Sequence, residues 1–143
     1  MKTNYKEFVI LTSDLSYMSG GDNRKRLRHL KNVLDDLHIN YKDCFGYYNG
    51  SNENSLYIEL NHALGFTEDF FTELACNTYD QECILHRDKY NNCYLLKPCV
   101  SGNYNKFTKN KTYVGKFNEI EYEQFLRADN ATEINGKFYT TTL

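Results

Sequence analysis

A chain of 143 residues, 41% hydrophobic and 15% aromatic, can build one core, and a single domain over residues 1–143 is expected. A formal charge of −2 lacks the positive surplus that a phosphate backbone demands, which excludes nucleic acid as the default partner. No apolar run nears the roughly 20 residues of a membrane span, and the polar start MKTNYKEF carries no apolar signal segment, so a cytoplasmic protein without a membrane partner is expected.

In chain order, Tyr5 to Ser13 (YKEFVILTS) is a short apolar run rich in β-formers and reads as a buried strand. After a Ser-Gly-Gly-Asp loop, Leu27, Leu30, Leu34 and Leu37 recur at helical spacing and predict a helix from near Asp22 with one packed stripe. Ile39 to Tyr47 suggests a second strand and Leu56, Ile58 and Leu60 a third, with Asn49-Gly50 marking a hairpin between them. Thr67 can cap a second helix: Glu68 and Asp69 suit its positive end, Phe66 can staple against Phe71, and Phe70, Phe71, Leu74 and Ala75 face inward. A fourth strand begins at Cys83, a turn at Asn91-Asn92 returns the chain as Cys93 to Lys97, and Pro98 ends it. Ser101 to Lys111 reads as loop, and a short helix near Glu119 to Arg127 and a hairpin around Asn135-Gly136 close the chain. The order βαββαβ, with an extra strand and a C-terminal extension, predicts an α+β ferredoxin-like sheet.

Cys44, Cys76, Cys83, Cys93 and Cys99 are odd in number and show no C-x-x-C spacing, so reduced thiols are expected and no metal. The hairpin Gly46 to Ser55 offers a phenol, a carboxylate and a hydroxyl on a short connection, groups that can orient a ribose, an amino group or a sulfonium; the same residues also suit an ordinary exposed turn. Gln81 and Glu82, set where a helix hands over to a strand, carry the same two readings. The run Arg24, Lys25, Arg26, Arg28, His29, Lys31 forms a basic outer face on the first helix, either solvated or, at its N-terminal end, suited to a phosphate. His29, His38, His62 and His86 have no Cys or Ser neighbour that marks a triad, and none is assigned a catalytic role.

Two stretches, LACNTYDQECILHRD (Leu74 to Asp88) and FGYYNGSNENS (Phe45 to Ser55), resemble the phage S-adenosylmethionine (SAM) hydrolases, now regarded as SAM lyases. FVILTSDLS followed by NRKRLRHLKNVL is similar to that family's first strand and Arg/His-bearing helix, and the C-terminal GKF and NGKFYTT agree in kind. The resemblance implies a ferredoxin-like, PII-like subunit in a homotrimer with substrate between subunits. It implies Tyr48, Glu53 and Glu82 as catalytic residues, with Glu59 as the alternate for Glu53, and Ser13, Ser55, Gln81, Arg26 and Arg28 as substrate-binding residues. It implies no cofactor and no metal, because SAM brings its own leaving group and nucleophile: its carboxylate closes on Cγ to give homoserine lactone and 5′-methylthioadenosine. One relative acts on SAM-AMP, a second messenger of type III CRISPR antiviral defence, for which Arg24 to Lys31 and Lys106, Lys109 and Lys111 would supply phosphate contacts. The roles implied are phage antirestriction or switching off that signal. Two alternatives stay open: a PII-like adenine-nucleotide sensor without turnover, and an antirestriction protein that mimics DNA, which would need a larger acidic surplus than −2.

Overall fold

The computed structural model describes residues 4–99 and 108–143, and in these eight strands and three α-helices form. The strands are β1 (Phe8–Thr12), β2 (Lys42–Tyr48), β3 (Ser51–Glu59), β4 (Ile84–Arg87), β5 (Asn92–Cys99), β6 (Thr108–Ile120), β7 (Ala131–Ile134) and β8 (Lys137–Thr142). Each pairs antiparallel with two neighbours in the order β1-β3-β2-β7-β8-β6-β5-β4, and β4 returns to β1. The result is a closed barrel.

This corrects the expected fold class. A ferredoxin-like sheet is open, with free edges; here β2 pairs with β7, Cys44 opposite Ile134, and β4 pairs with β5, Ile84 opposite Leu96. What closes it is the C-terminal part of the chain. β6 runs for 13 residues with many polar side chains, so that only its packing partners reveal it as a strand. With closure, the PII-like arrangement goes as well, and so does the ground for a PII-like sensor.

Alternation along each strand serves two cores. Val9 and Leu11 of β1, Leu56 and Ile58 of β3, Ile84 of β4 and Leu96 of β5 point outward beneath the helices. There they meet Leu30 and Leu34 of α1 (Gly20–Asp36) and Phe71 and Ala75 of and beyond α2 (Glu68–Glu73), all fully buried. Leu30→Ala would remove about 2–5 kcal/mol from this layer. The other parity faces inward. Phe8 packs on Tyr57 and Phe117, Phe117 stacks on Tyr139 with ring centroids 4.9 Å apart, and the Arg87 guanidinium lies 4.6 Å from the Phe8 ring. These groups fill the barrel at one end, and the other end is open.

Caps explain the helix starts. Ser19 accepts from the Asp22 N–H and caps α1, which starts at Gly20, two residues earlier than expected, and Thr67 accepts from the Phe70 N–H. α3 (Tyr122–Arg127) carries a capping box between Glu121 and Gln124 and buries Phe125. Pro98 does not end its strand: β5 continues to Cys99, with Pro98 opposite Lys109. Its neighbour β4 pairs only as far as Leu96, so a missing N–H at Pro98 breaks no bond on that side. The predicted loop gives way to β6 at Thr108, while its first residues and Lys106 lie outside the described residues. No helix among the described residues is long and apolar enough to cross a membrane.

Candidate active site

Asn49 and Gly50 both have positive φ (50° and 78°), the conformation a two-residue type I′ turn requires. The turn is tight: Tyr48 stands opposite Ser51, Gly46 opposite Glu53 and Cys44 opposite Ser55. Tyr48, Glu53 and Ser55 therefore sit on paired strands and not on a flexible loop, and alternation turns all three toward the open end of the barrel. Gly46 is needed where β7 crosses, because a Cβ at this position would lie 2.0 Å from the Ala131 carbonyl oxygen.

Gln81 and Glu82 reach the same place from the other side. After α2 the chain widens into a π-helical turn (Leu74–Thr78), and Asp80 adopts a left-handed conformation (φ 56°) that redirects it toward β4. Gln81 is anchored by its backbone N–H on the Ala75 carbonyl (3.2 Å) and by its side-chain amide on the carbonyls of Asp14 (3.0 Å) and Tyr79 (3.2 Å). Glu82 is exposed at the rim. Cys83 places its sulfur 3.6 Å from the Tyr48 hydroxyl.

Together these residues line a cavity of about 280 Å³, with Thr12, Glu53, Ser55, Gln81 and Glu82 at its mouth and Ile10, Leu85, Leu95, Val114, Phe117 and Tyr139 deeper in. Glu53 takes a 3.1 Å hydrogen bond from the Ser55 hydroxyl, and among the described residues no cationic side chain forms an ion pair with it. Burial pushes its carboxyl above the usual range, the Ser55 bond opposes this, and the nearby Asp14 charge adds to it. Asp14 is also raised by burial, against a backbone hydrogen bond from Asn54 and the charge of Arg26. The contact with Cys83, then burial, raises the Tyr48 phenol, and burial raises the Cys83 thiol, so both stay protonated at neutral pH. The mouth is an acidic, half-dry surface whose lining includes no cationic side chain among the described residues and offers hydroxyl, amide and phenol hydrogen bonds.

The expected site residues divide. Tyr48, Glu53, Ser55, Gln81 and Glu82 converge on the cavity. Ser13 is fully buried beside it, and its hydroxyl has no hydrogen-bond partner among the described residues. Arg26 donates to the carbonyls of Ser13 (2.7 Å) and Tyr79, which ties α1 to the ends of the chain segments that bear Asp14 and Gln81. Arg28 is exposed on α1 and does not line the cavity. Lys31 pairs with Asp43 at 2.7 Å, and Lys111 lies 4.3 Å over the Tyr94 ring. Glu59, the alternate, is at the far end of β3, near Lys6 and the Tyr57 hydroxyl. Sequence reasoning missed Thr12, Asp14 and Cys83. A carboxylate directly after an apolar strand, as in Asp14, was the available signal. Cys44, Cys76, Cys83 and Cys93 are free thiols, and no three His, Cys, Asp or Glu residues among those described converge as a metal site.

A barrel with a closed aromatic end, an apolar wall and an acidic mouth suits, in charge and shape, a small cationic molecule, and it carries hydrogen-bonding groups that can fix a ligand's conformation. The chain belongs to the S-adenosylmethionine lyase family, whose family model matches residues 9–142. Membership makes it a lyase with SAM, a sulfonium cation, as its small-molecule substrate. No curated protein matches the chain.

Proposed function

We propose that the chain degrades SAM, or its nucleotide conjugate SAM-AMP, by intramolecular cyclisation at the barrel mouth. The methionine carboxylate attacks its own Cγ, the Cγ–S bond breaks with its electron pair passing to sulfur, and homoserine lactone and 5′-methylthioadenosine (or its AMP conjugate) leave. The observation that carries this reading is Glu53, a carboxylate held in a partly dry cavity with no ion-pair partner among the described residues. A substrate sulfonium or ammonium group supplies the missing charge. Tyr48, a protonated phenol, serves as a hydrogen-bond donor, Glu82 adds charge at the rim, Ser55 fixes the Glu53 carboxylate, and Gln81, held on the Asp14 and Tyr79 carbonyls, offers its amide oxygen to the ligand. Such a site needs no base or nucleophile of its own. Holding the reactive conformer can lower a barrier by up to about 7–11 kcal/mol, and a site of low polarity favours the step because the sulfonium charge is neutralised in it.

SAM-AMP would need a cation for its phosphate. Arg26 is committed to backbone carbonyls, whereas Lys97 on β5 is exposed and close enough to Cys83 to act on its thiol, so Lys97 suits that task better. A homotrimer with sites between subunits is part of the proposal. A cavity of about 280 Å³ is small beside the roughly 300–1,000 Å³ of ligand pockets, which favours a neighbouring subunit completing its walls. Light scattering at micromolar concentration tests this, and a monomer refutes it. The setting proposed is the cytoplasm, in phage antirestriction or in ending a SAM-AMP defence signal. Mass spectrometry of parallel incubations with SAM and SAM-AMP tests the reaction: lactone and thioether products are expected from at least one, and both substrates left intact would refute it.

A further inference from the structure

Where β1 ends, the support of β3 changes character. The last β1–β3 pair is Thr12 opposite Ser55, so the strand partner of β3 runs out at Asn54, beside Glu53. Side chains take over from the ladder. The Thr12 hydroxyl donates to the Asn54 carbonyl (2.5 Å) and accepts from the Asp14 N–H (3.0 Å), and the Asp14 carboxylate accepts from the Asn54 N–H (3.1 Å). The Asp14 carbonyl in turn accepts from the Gln81 amide (3.0 Å). One residue thus meets both segments that build the cavity mouth, and Arg26, on the carbonyls of Ser13 and Tyr79, holds the chain to either side of it.

We infer that Asp14 is a positioning residue: through the Asn54 N–H and the Gln81 amide it sets the placement of Glu53 and Gln81 for the lyase reaction. The inference rests on the reading of Glu53 as the substrate's counter-charge. Asp14 replaces a missing strand bond with a charge-assisted one, stronger than the neutral bond it stands for. It also brings a second negative charge near Glu53, which makes Glu53 harder to ionise. The other groups around this pair are Cys44 and Tyr48 of β2, Cys83 and Glu82 ahead of β4, Lys97 of β5 and Arg26 of α1.

The test compares Asp14→Ala with Asp14→Asn in the full chain. Asn keeps an oxygen that can accept from Asn54 but drops the charge. Loss of the bond should lower kcat about tenfold or more in Asp14→Ala, while Asp14→Asn stays within about threefold of wild type. A 13C NMR titration of the Glu53 carboxyl, which needs no turnover, should show its midpoint at lower pH in Asp14→Asn. Wild-type kcat in Asp14→Ala alongside a damaged Glu53→Gln would overturn the inference, as would an unmoved Glu53 midpoint. If wild-type protein cleaves neither substrate, the functional reading falls by itself, and the titration still decides whether Asp14 acts on Glu53.

Discussion

Replacing Glu53 by Gln separates what the residue costs the fold from what it contributes to the reaction. Gln is isosteric, and its amide oxygen can still accept from the Ser55 hydroxyl, so the 3.1 Å bond survives while the charge is lost. A charge-assisted contact contributes roughly 1.5–3 kcal/mol, and turnover should therefore fall by about ten- to a hundredfold. Stability should move the other way. Burial holds the folded carboxyl above its ordinary value of 4.5, so folded Glu53 binds its proton more tightly than the unfolded chain does. Stability associated with this group is complete below 4.5 and is lost as pH rises through the folded value, so at neutral pH the ionised side chain is a net burden on the fold. Glu53→Gln should melt at a higher temperature than wild type at pH 8 and show a smaller difference at pH 4. The assay pairs chromatographic release of 5′-methylthioadenosine with thermal melts across that range. Wild-type turnover, or a melting temperature at pH 8 that falls on substitution, would refute the assignment of Glu53 as a buried carboxylate kept for its charge.

Glu82→Gln should also reduce turnover about tenfold or more, and Tyr48→Phe by less, since a neutral hydroxyl makes a weaker bond; a larger loss in Tyr48→Phe than in Glu82→Gln would reverse the roles given to them. EDTA should leave the rate unchanged because the substrate carries both nucleophile and leaving group, and activity lost on chelation and restored by zinc or magnesium would defeat the cyclisation reading. Gly46→Ala forces a methyl against the Ala131 carbonyl and should destabilise the protein by about 2 kcal/mol or more in urea unfolding, whereas an unchanged midpoint would mean that β7 does not cross where the structure has it.

The parts of this fold that the sequence announced are those with local causes. The Leu stripe of α1, the Thr67 cap and the two Asn-Gly turns at 49–50 and 135–136 each depend on neighbours within a few residues, and each forms where expected, save that Leu37 falls past the helix end and is exposed. Barrel closure has no such signal. It depends on β2 meeting β7 and on a mostly polar β6 whose spacing of Val114 and Phe117 breaks alternation, and nothing near Cys44 in the sequence points to Ile134. The site shows the same division. Tyr48, Glu53, Ser55, Gln81 and Glu82 were named through resemblance, and their meeting in one cavity is a product of topology. The hairpin expected at 46–55 forms, and it is tight because Asn49 and Gly50 accept positive φ and close it in two residues. Arg26 reads as a phosphate ligand only until the carbonyls that occupy it are in view.

Closure between β2 and β7 also constrains how the molecule comes into being. Pairings among β1, β2, β3 and β4 can form once residue 87 is available, but Cys44 must wait for Ile134, far along the chain, before its second edge is covered. Until then β2 presents unpaired backbone to any passing strand, a state open to self-association during synthesis. Long-range closure of this kind makes for slow folding, so protein production should tolerate low temperature and low expression rates better than rapid induction. Once the seam is shut, each of the eight described strands has a partner on both sides, and little edge is left for another chain to extend.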